Sequence, residues 1–147
     1  MHNNVNIDLV PGVRHANSSD HWLYVFRSGR ERTQTNIDKH IGLVKNSGRI
    51  NEIKAIKIWA SNHSLDFPSI YLESVVLKAL TGYGYNLGYN TTRVLEYLRD
   101  ELNRARFVDP ANSANILSDE LTSSEKQQIS NQASQSLAKP YWENIIW

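Results

Sequence analysis

The chain has 147 residues, which is the length of one domain and enough to bury a hydrophobic core. Its 16 basic residues almost balance its 15 acidic ones, so the composition does not indicate an electrostatic binder of nucleic acid or membrane surfaces. Cysteine is absent, which excludes disulfides and thiol chemistry, and the chain shows neither a signal-peptide pattern nor an apolar run of membrane-spanning length. We therefore expect a cytoplasmic protein with no membrane partner.

Two strand-like runs come first. Residues 5–10 (VNIDLV) alternate apolar and polar side chains and stop at Pro11-Gly12, and residues 22–26 (WLYVF) are aromatic and β-branched. A polar loop separates the two runs, so the pattern predicts a short antiparallel β pair. Because a two-stranded sheet is only marginally stable in water, we expect this pair to be the edge of something larger.

Helical periodicity begins near residue 35. Thr35 or Asn36 can cap a first helix that ends at residues 46–48. A third helix, predicted over residues 69–80 with Pro68 in its first turn, is apolar on most of its circumference and should lie in the middle of a bundle. The apolar stripe of the second helix, between these two, consists of Ile50, Ile53, Ile56 and Ala60, with Trp59 predicted on its flank.

The second half of the chain predicts two more helices. Residues 81–89 (TGYGYNLGY) are rich in glycine and predict a loop, after which Asn90 or Thr91 opens the fourth helix. Thr122 and Glu125 form a capping box at the start of the last helix. Residues 141–147 (YWENIIW) are so apolar that we expect them to pack against the rest of the protein. The predicted fold is mainly α: a bundle of about five helices preceded by the short β pair.

Four short motifs occur in an order that resembles a known family. They resemble segments of the C-terminal helical domain in template-independent nucleotidyltransferases of the polymerase-β superfamily, in the branch of oligoadenylate synthetases and bacterial cyclic-oligonucleotide synthases. The motifs are Lys57-x-Trp59, Pro68 followed by Tyr71-Leu72-Glu73, Asp109-Pro110-x-Asn112, and Ala138-Lys139-x-x-Trp142. On this resemblance, residues 107–119 (FVDPANSANILSD) would form a buried connection whose Asp and Asn side chains satisfy backbone groups and fix the last helix.

The resemblance implies a division of the chain at residue 32. Residues 1–32 would be part of a catalytic palm sheet, and residues 33–147 would be the helical nucleotide-binding domain. In this family three carboxylates hold two Mg²⁺ ions, and the strand at residues 5–10 would contribute one of them, Asp8. The Gly-Ser turn and Asp-x-Asp pair that supply the others do not occur in the sequence. We expect a chain inactive by itself: a fragment, one half of a split enzyme or a degenerate paralogue.

The resemblance also implies contacts with a nucleoside triphosphate. Lys57 would hold phosphates, and Lys54 lies three residues earlier on the same helical face. Ser69 would contact phosphate and Tyr71 the base. The alternatives are that Ser69 hydrogen-bonds the backbone in the first turn of its helix and that Tyr71 is a core residue. The simpler alternatives are a solvated face for the lysines and a solvent-facing strand position for Asp8. We assign Glu73 a structural role, paired or capping within the bundle.

Two classes of function follow from these residues. In a complete enzyme the substrates would be ATP or other NTPs with Mg²⁺, and the product a cyclic or linear oligonucleotide signal. The partner would be a separate N-terminal catalytic half, or a second copy bound through the β edge. The alternative is a non-catalytic helical module that binds a protein through the β edge and residues 141–147. A nucleic-acid partner would need a basic stripe, which the balanced charge does not favour.

Overall fold

The computed structural model describes residues 11–16, 18–24 and 32–146. Within them, an antiparallel sheet in the order β1-β2-β3 precedes a helical bundle. The strands are β1 (Gly12–Arg14), β2 (His21–Tyr24) and β3 (Arg32–Thr35). β2 corresponds to the second predicted strand, whereas the first predicted strand, and Asp8 with it, lies outside the described residues.

The described sheet differs from the predicted pair at both ends. β1 begins at Gly12, although the sequence pattern predicts that the first strand stops there. Gly12 pairs with Leu23, and because glycine has no side chain it leaves room for the side chain of Leu23. A Cβ at Gly12 would lie only 2.7 Å from Leu23 Cδ2. β3 has the polar sequence RTQT, which gives no strand signal, and it forms by pairing along the whole of β2.

The bundle confirms the predicted mainly α fold. Four of the helices surround one hydrophobic core, and the others lie against its outside. The described helices are α1 (Ile37–Asn46), α2 (Ile50–Asn62), α3 (Ser69–Ala79), α4 (Leu87–Asp100), α5 (Ser123–Leu137) and α6 (Glu143–Ile146). The last of these belongs to the apolar tail, which docks as expected: Asn62 Nδ2 donates to the carbonyl of Ile146 at 3.0 Å. In the described part of the chain, no helix is long and apolar enough to cross a membrane.

Two predicted helix caps are confirmed and one is wrong. Asn36 caps α1, and Thr122 and Glu125 form the capping box of α5. α4, however, begins at Leu87, because the side chain of Asn86 accepts a hydrogen bond from the backbone N–H of Tyr89 at 2.9 Å. The loop is therefore shorter than predicted, and the predicted caps Asn90 and Thr91 are buried inside the helix.

Trp59 lies in the core and not on a flank of α2. Its side chain has no exposed surface, and its indole N–H donates to Ser136 Oγ of α5 at 2.9 Å. This buried hydrogen bond fixes the rotation of α2 about its axis. The buried stripe is rotated accordingly, so Ile50 at its predicted edge is 40% exposed.

Residues 107–119 contain a hairpin that the sequence did not predict. β4 (Val108–Asp109) pairs with β5 (Asn112–Ile116), and a 3₁₀ helix (Leu117–Glu120) follows. The buried carboxylate of Asp109 accepts hydrogen bonds from the backbone N–H of Ala111 at 2.8 Å and from Asn115 Nδ2 at 3.1 Å. Asp109 thus satisfies a backbone group, as predicted, but it stabilises a turn between strands, and the expected attachment of the last helix by this segment stays a prediction.

The first helix is attached to its surroundings by polar contacts. His40 Nε2 lies 2.7 Å from Asp109 Oδ1 of the hairpin. At the N-terminus of the helix, Asn36 Nδ2 donates to Asp20 Oδ1 at 2.7 Å, and this hydrogen bond, followed by one from Gln34, lowers the pKa of Asp20. None of the residues of α1 is fully buried, and Ile41 is 58% exposed.

Arg49, in the turn between α1 and α2, is buried although it is charged. Its guanidinium donates to the carbonyls of Leu80 at 3.3 Å, of Tyr83, and of Gly84 at 2.7 Å, all beyond the end of α3. It also pairs with the buried carboxylate of Glu52 at 3.3 Å. These partners satisfy a charge that would otherwise be costly to bury.

We expect the variant Arg49→Met to lose about 3–5 kcal/mol of unfolding free energy, because it leaves Glu52 charged, buried and without its cationic partner. Urea denaturation of the whole chain measures this change. The matched control is Arg104→Met, because Arg104 pairs with Glu101 but its side chain is 71% exposed. The control should show no measurable loss, since exposed pairs contribute little. Equal losses in the two variants would contradict a special role for Arg49.

Candidate functional site

Lys57 of α2 forms an ion pair with Glu73 of α3, with Nζ and Oε1 at 2.5 Å. The Lys57 side chain is 40% exposed and that of Glu73 is 15% exposed. The predicted structural role of Glu73 is confirmed, because it pairs within the bundle. An ammonium group has three N–H donors, so Lys57 can donate to Glu73 and still donate outwards.

The core of α2 determines where this ammonium points. Ile53, Ile56 and Trp59 are buried between the neighbouring helices, which turns the opposite side of α2 to solvent. Lys54 is exposed on that side, one turn before Lys57. Two cationic side chains are thus presented on a rigid helix, as the sequence predicts.

Ser69 extends the same surface on α3. It is the exposed first residue of the helix and lies four residues before Glu73, so the two share one face of α3. We call the surface formed by Lys54, Lys57, Ser69 and Glu73 the α2–α3 polar face. It combines two cations and a hydroxyl with a carboxylate that orients one of the cations.

Tyr71 is not on this face. Its side chain has no exposed surface and packs against Phe67 and Phe107, with ring centroids 5.2 and 5.3 Å away. Burial, with smaller contributions from Tyr97 and Asp119, raises the pKa of its hydroxyl. Of the two roles that the sequence allowed for Tyr71, the structure places it in the core role, away from a nucleotide at the surface.

A magnesium site is not formed by the described residues. They contain no group of three or more His, Cys, Asp or Glu side chains that could hold a metal ion. Asp8, the predicted ligand, lies outside them. The magnesium centre that the sequence resemblance implies therefore stays a prediction.

A cleft of about 640 Å³ lies between α1 and α3. Its wall on α3 includes Leu77, which is one turn after Glu73, so the cleft begins near the end of the α2–α3 polar face. Its cationic lining residues are Lys39 and Arg49, neither of which we singled out from the sequence. Arg49 could not be recognised as buried, because its carbonyl partners lie more than 30 residues away along the chain.

Comparisons with known proteins do not add to this description. No family model, curated protein or solved structure matches the chain.

The placement of Tyr71 gives a test that needs no ligand. Its hydroxyl is buried and has no hydrogen-bond partner among the described residues, so Tyr71→Phe should leave the unfolding free energy unchanged or raise it by about 1 kcal/mol. Tyr71→Ala should lower it by about 3–5 kcal/mol, because it empties a core position. Urea denaturation distinguishes these outcomes.

The control for Tyr71→Phe is Tyr83→Phe. The Tyr83 hydroxyl accepts a hydrogen bond from Arg93 Nη2 at 2.9 Å, so its removal should destabilise the protein. If Tyr71→Phe destabilises the fold more than Tyr83→Phe does, the Tyr71 hydroxyl has a partner and the core assignment is incomplete.

Proposed function

We propose that this chain is the helical, nucleotide-binding portion of an oligoadenylate-synthetase-like nucleotidyltransferase. The observation that carries the proposal is the half-exposed ammonium of Lys57, held by Glu73 on the α2–α3 polar face. Lys57 and Glu73 belong to two of the motifs that produce the sequence resemblance, and they meet in space although they are 16 residues apart. In this proposal Lys57 contacts the phosphates of ATP or another NTP.

The chemistry of the face suits a polyphosphate. A lysine ammonium binds phosphate oxygens as a compact charge, and Lys54 adds a second positive charge one turn away. Glu73 limits the rotamers of Lys57 before the ligand arrives, which lowers the entropic cost of binding. The carboxylate also offsets one positive charge, which favours a ligand that itself brings a cation, such as an NTP with Mg²⁺.

Catalysis would require groups from outside the described residues. Asp8 is the carboxylate that the sequence resemblance assigns to the metal centre, and the remaining carboxylates would come from a separate catalytic half. We propose that the chain acts together with such a half, in the cytoplasm, to make a cyclic or linear oligonucleotide signal. By itself the chain would bind a nucleotide without transferring it.

The second candidate is a helical protein-interaction module. The observation that favours it is the exposure of apolar side chains on β1 and α1, where Val13, Ile37 and Ile41 are 63%, 41% and 58% exposed. Surfaces of this kind are common in protein interfaces, and a palm sheet that continues beyond β1 would also cover them. The two candidates differ in whether the chain binds a nucleotide.

Titration of the chain with ATP and Mg²⁺ by calorimetry tests the proposal. We expect Lys57→Ala to weaken binding by about tenfold or more, as for the loss of a hydrogen bond to a charged group. Lys54→Ala should weaken binding less, and both effects should shrink as salt is added. The control is Lys45→Ala, an exposed lysine on α1 outside the polar face.

Two results would count against the nucleotide-binding proposal. One is the absence of heat with ATP, GTP, CTP and UTP in the wild-type chain. The other is equal binding by the Lys57→Ala and Lys45→Ala variants, which would locate the nucleotide elsewhere. Either result would leave the interaction module as the better account.

A further inference from the structure

The cleft between α1 and α3 is bounded on two sides by single helix faces. Its wall on α1 consists of four residues from one side of that helix: Lys39, Gly42, Leu43 and Asn46. The opposite wall includes Leu77 and Leu80, which lie one turn apart on α3 and its C-cap. The volume of about 640 Å³ is in the range of small-molecule sites, so the cleft has room for an organic ligand.

Gly42 keeps the α1 wall of the cleft bare. A glycine inside a helix costs about 1 kcal/mol relative to alanine. The backbone at Gly42 is helical, and a Cβ added there would meet one described side chain, with Asn46 Nδ2 at an ordinary contact distance of 3.9 Å. Neither the backbone conformation nor the packing of the described residues therefore requires a glycine. Its effect is to leave space open between α1 and the leucines opposite.

Two polar side chains of this wall are able to bind a ligand. Within the described part of the chain, the side chains of Lys39 and Asn46 form no hydrogen bond or ion pair, and both residues are exposed. Lys39 acts on Asp20 only at a distance, as a minor cause of its lowered pKa after the hydrogen bond from Asn36. The ammonium of Lys39 and the amide of Asn46 can therefore donate into the cleft.

The other polar groups at the cleft are already engaged. Ser47 Oγ and Thr81 Oγ1 each donate to a backbone carbonyl one turn earlier, at 2.7 and 3.1 Å. The charge of Arg49 is satisfied by carbonyls and by Glu52. Among the described lining residues, Lys39 is thus the one cation without a partner, and the cleft suits a ligand with a single negative charge.

The arrangement of the walls also limits the shape of the ligand. Lys39 and Asn46 are seven residues apart, or about 10.5 Å along the helix, and Gly42 lies between them. A negative group at Lys39 therefore leaves room for an apolar body beside Gly42, facing Leu77. A nucleoside triphosphate carries several negative charges and would need more cations than this cleft offers.

We propose that the cleft is a binding site for a small organic monoanion, an apolar ring that carries one carboxylate. The ring lies between Gly42 and the leucines of the opposite wall, and the carboxylate accepts from Lys39. Such a ligand buries its ring against apolar side chains and keeps its charge at the exposed end of the cleft. This site is separate from Lys57 and does not depend on nucleotide binding.

NMR titration of the ¹⁵N-labelled whole chain with 2-naphthoate, and with the neutral 2-naphthamide, tests the proposal. We expect both molecules to shift the amide signal of Gly42, with naphthoate binding about fivefold more tightly, as for an exposed ion pair. Lys39→Gln should remove this preference and leave the binding of naphthamide unchanged. Lys57→Ala should leave both affinities unchanged.

A second variant fills the cleft without weakening the fold. Gly42→Leu places a side chain in the open space and should weaken the binding of both molecules by about tenfold or more. Leucine is the better helix former, so α1 should be kept, and circular dichroism checks this. The matched control is Lys45→Leu, which adds the same side chain to α1 at an exposed residue outside the cleft and should bind as the wild type does.

Three results would overturn the proposal. One is a Gly42 signal that does not move at millimolar concentrations of either molecule. Another is equal affinity for naphthoate and naphthamide in the wild-type chain, because the ligand would then have no need of a charge. The third is an equal loss of binding in Gly42→Leu and Lys45→Leu, which would place the ring outside the cleft.

Discussion

The guanidinium of Arg49 fixes the mutual position of α2, α3 and α4, the first two of which form the candidate site. The carbonyls at the end of a helix have no partner within that helix, and they carry the negative end of its dipole. Arg49 donates to the carbonyl of Leu80 at the end of α3, to the loop carbonyl of Gly84 and to Glu52 of α2. Glu52 in turn accepts from Asn90 of α4 at 2.7 Å, so one buried charge connects α2, α3 and α4.

This connection also explains why Lys57 and Glu73 meet. From Arg49 to Lys57 the chain advances eight residues, or about 12 Å along a helix, and from Glu73 to Leu80 it advances seven residues, or about 10.5 Å. α2 and α3 run in opposite directions from the Arg49 contact, so the two side chains come to nearly the same level. The ion pair at the candidate site is therefore a consequence of the register set by Arg49, and the geometry of the α2–α3 polar face depends on a residue outside it.

The sequence predicted those features whose causes are local. The caps at Asn36 and Thr122, and the position of Lys57 opposite the apolar stripe, follow from periodicity and from hydrogen bonds within a few residues. The hairpin of residues 107–119 and the strand β3 could not be predicted, because polar segments become strands there only through pairing with neighbours. The sequence places the start of α4 too late, because the glycines on both sides of Asn86 indicate a loop, and Asn86 is therefore not recognised as the capping residue.

The residues of the candidate site likewise divide into those that the sequence predicts and those that only the structure shows. A lysine on the solvent side of a helix can be located from the sequence, and Glu73 can be assigned a structural role, but its partner 16 residues away comes only from the structure. Tyr71 could not be assigned in advance, since α3 is apolar on most sides and a tyrosine fits both a core and a binding surface. The sequence gives no indication of the role of Arg49, because its carbonyl partners follow α3, more than 30 residues along the chain.

The weak attachment of α1 has a consequence for the cleft beside it. This helix has no fully buried residue and is held mainly by Asn36, by His40 and by partial packing of Val44 against the core. Helices with few buried contacts open locally at a free energy well below that of global unfolding. Because α1 forms one wall of the cleft, the width of the cleft follows this opening equilibrium. The apparent affinity of any molecule that enters the widened cleft is then the affinity for the open state multiplied by the fraction of time that α1 is open.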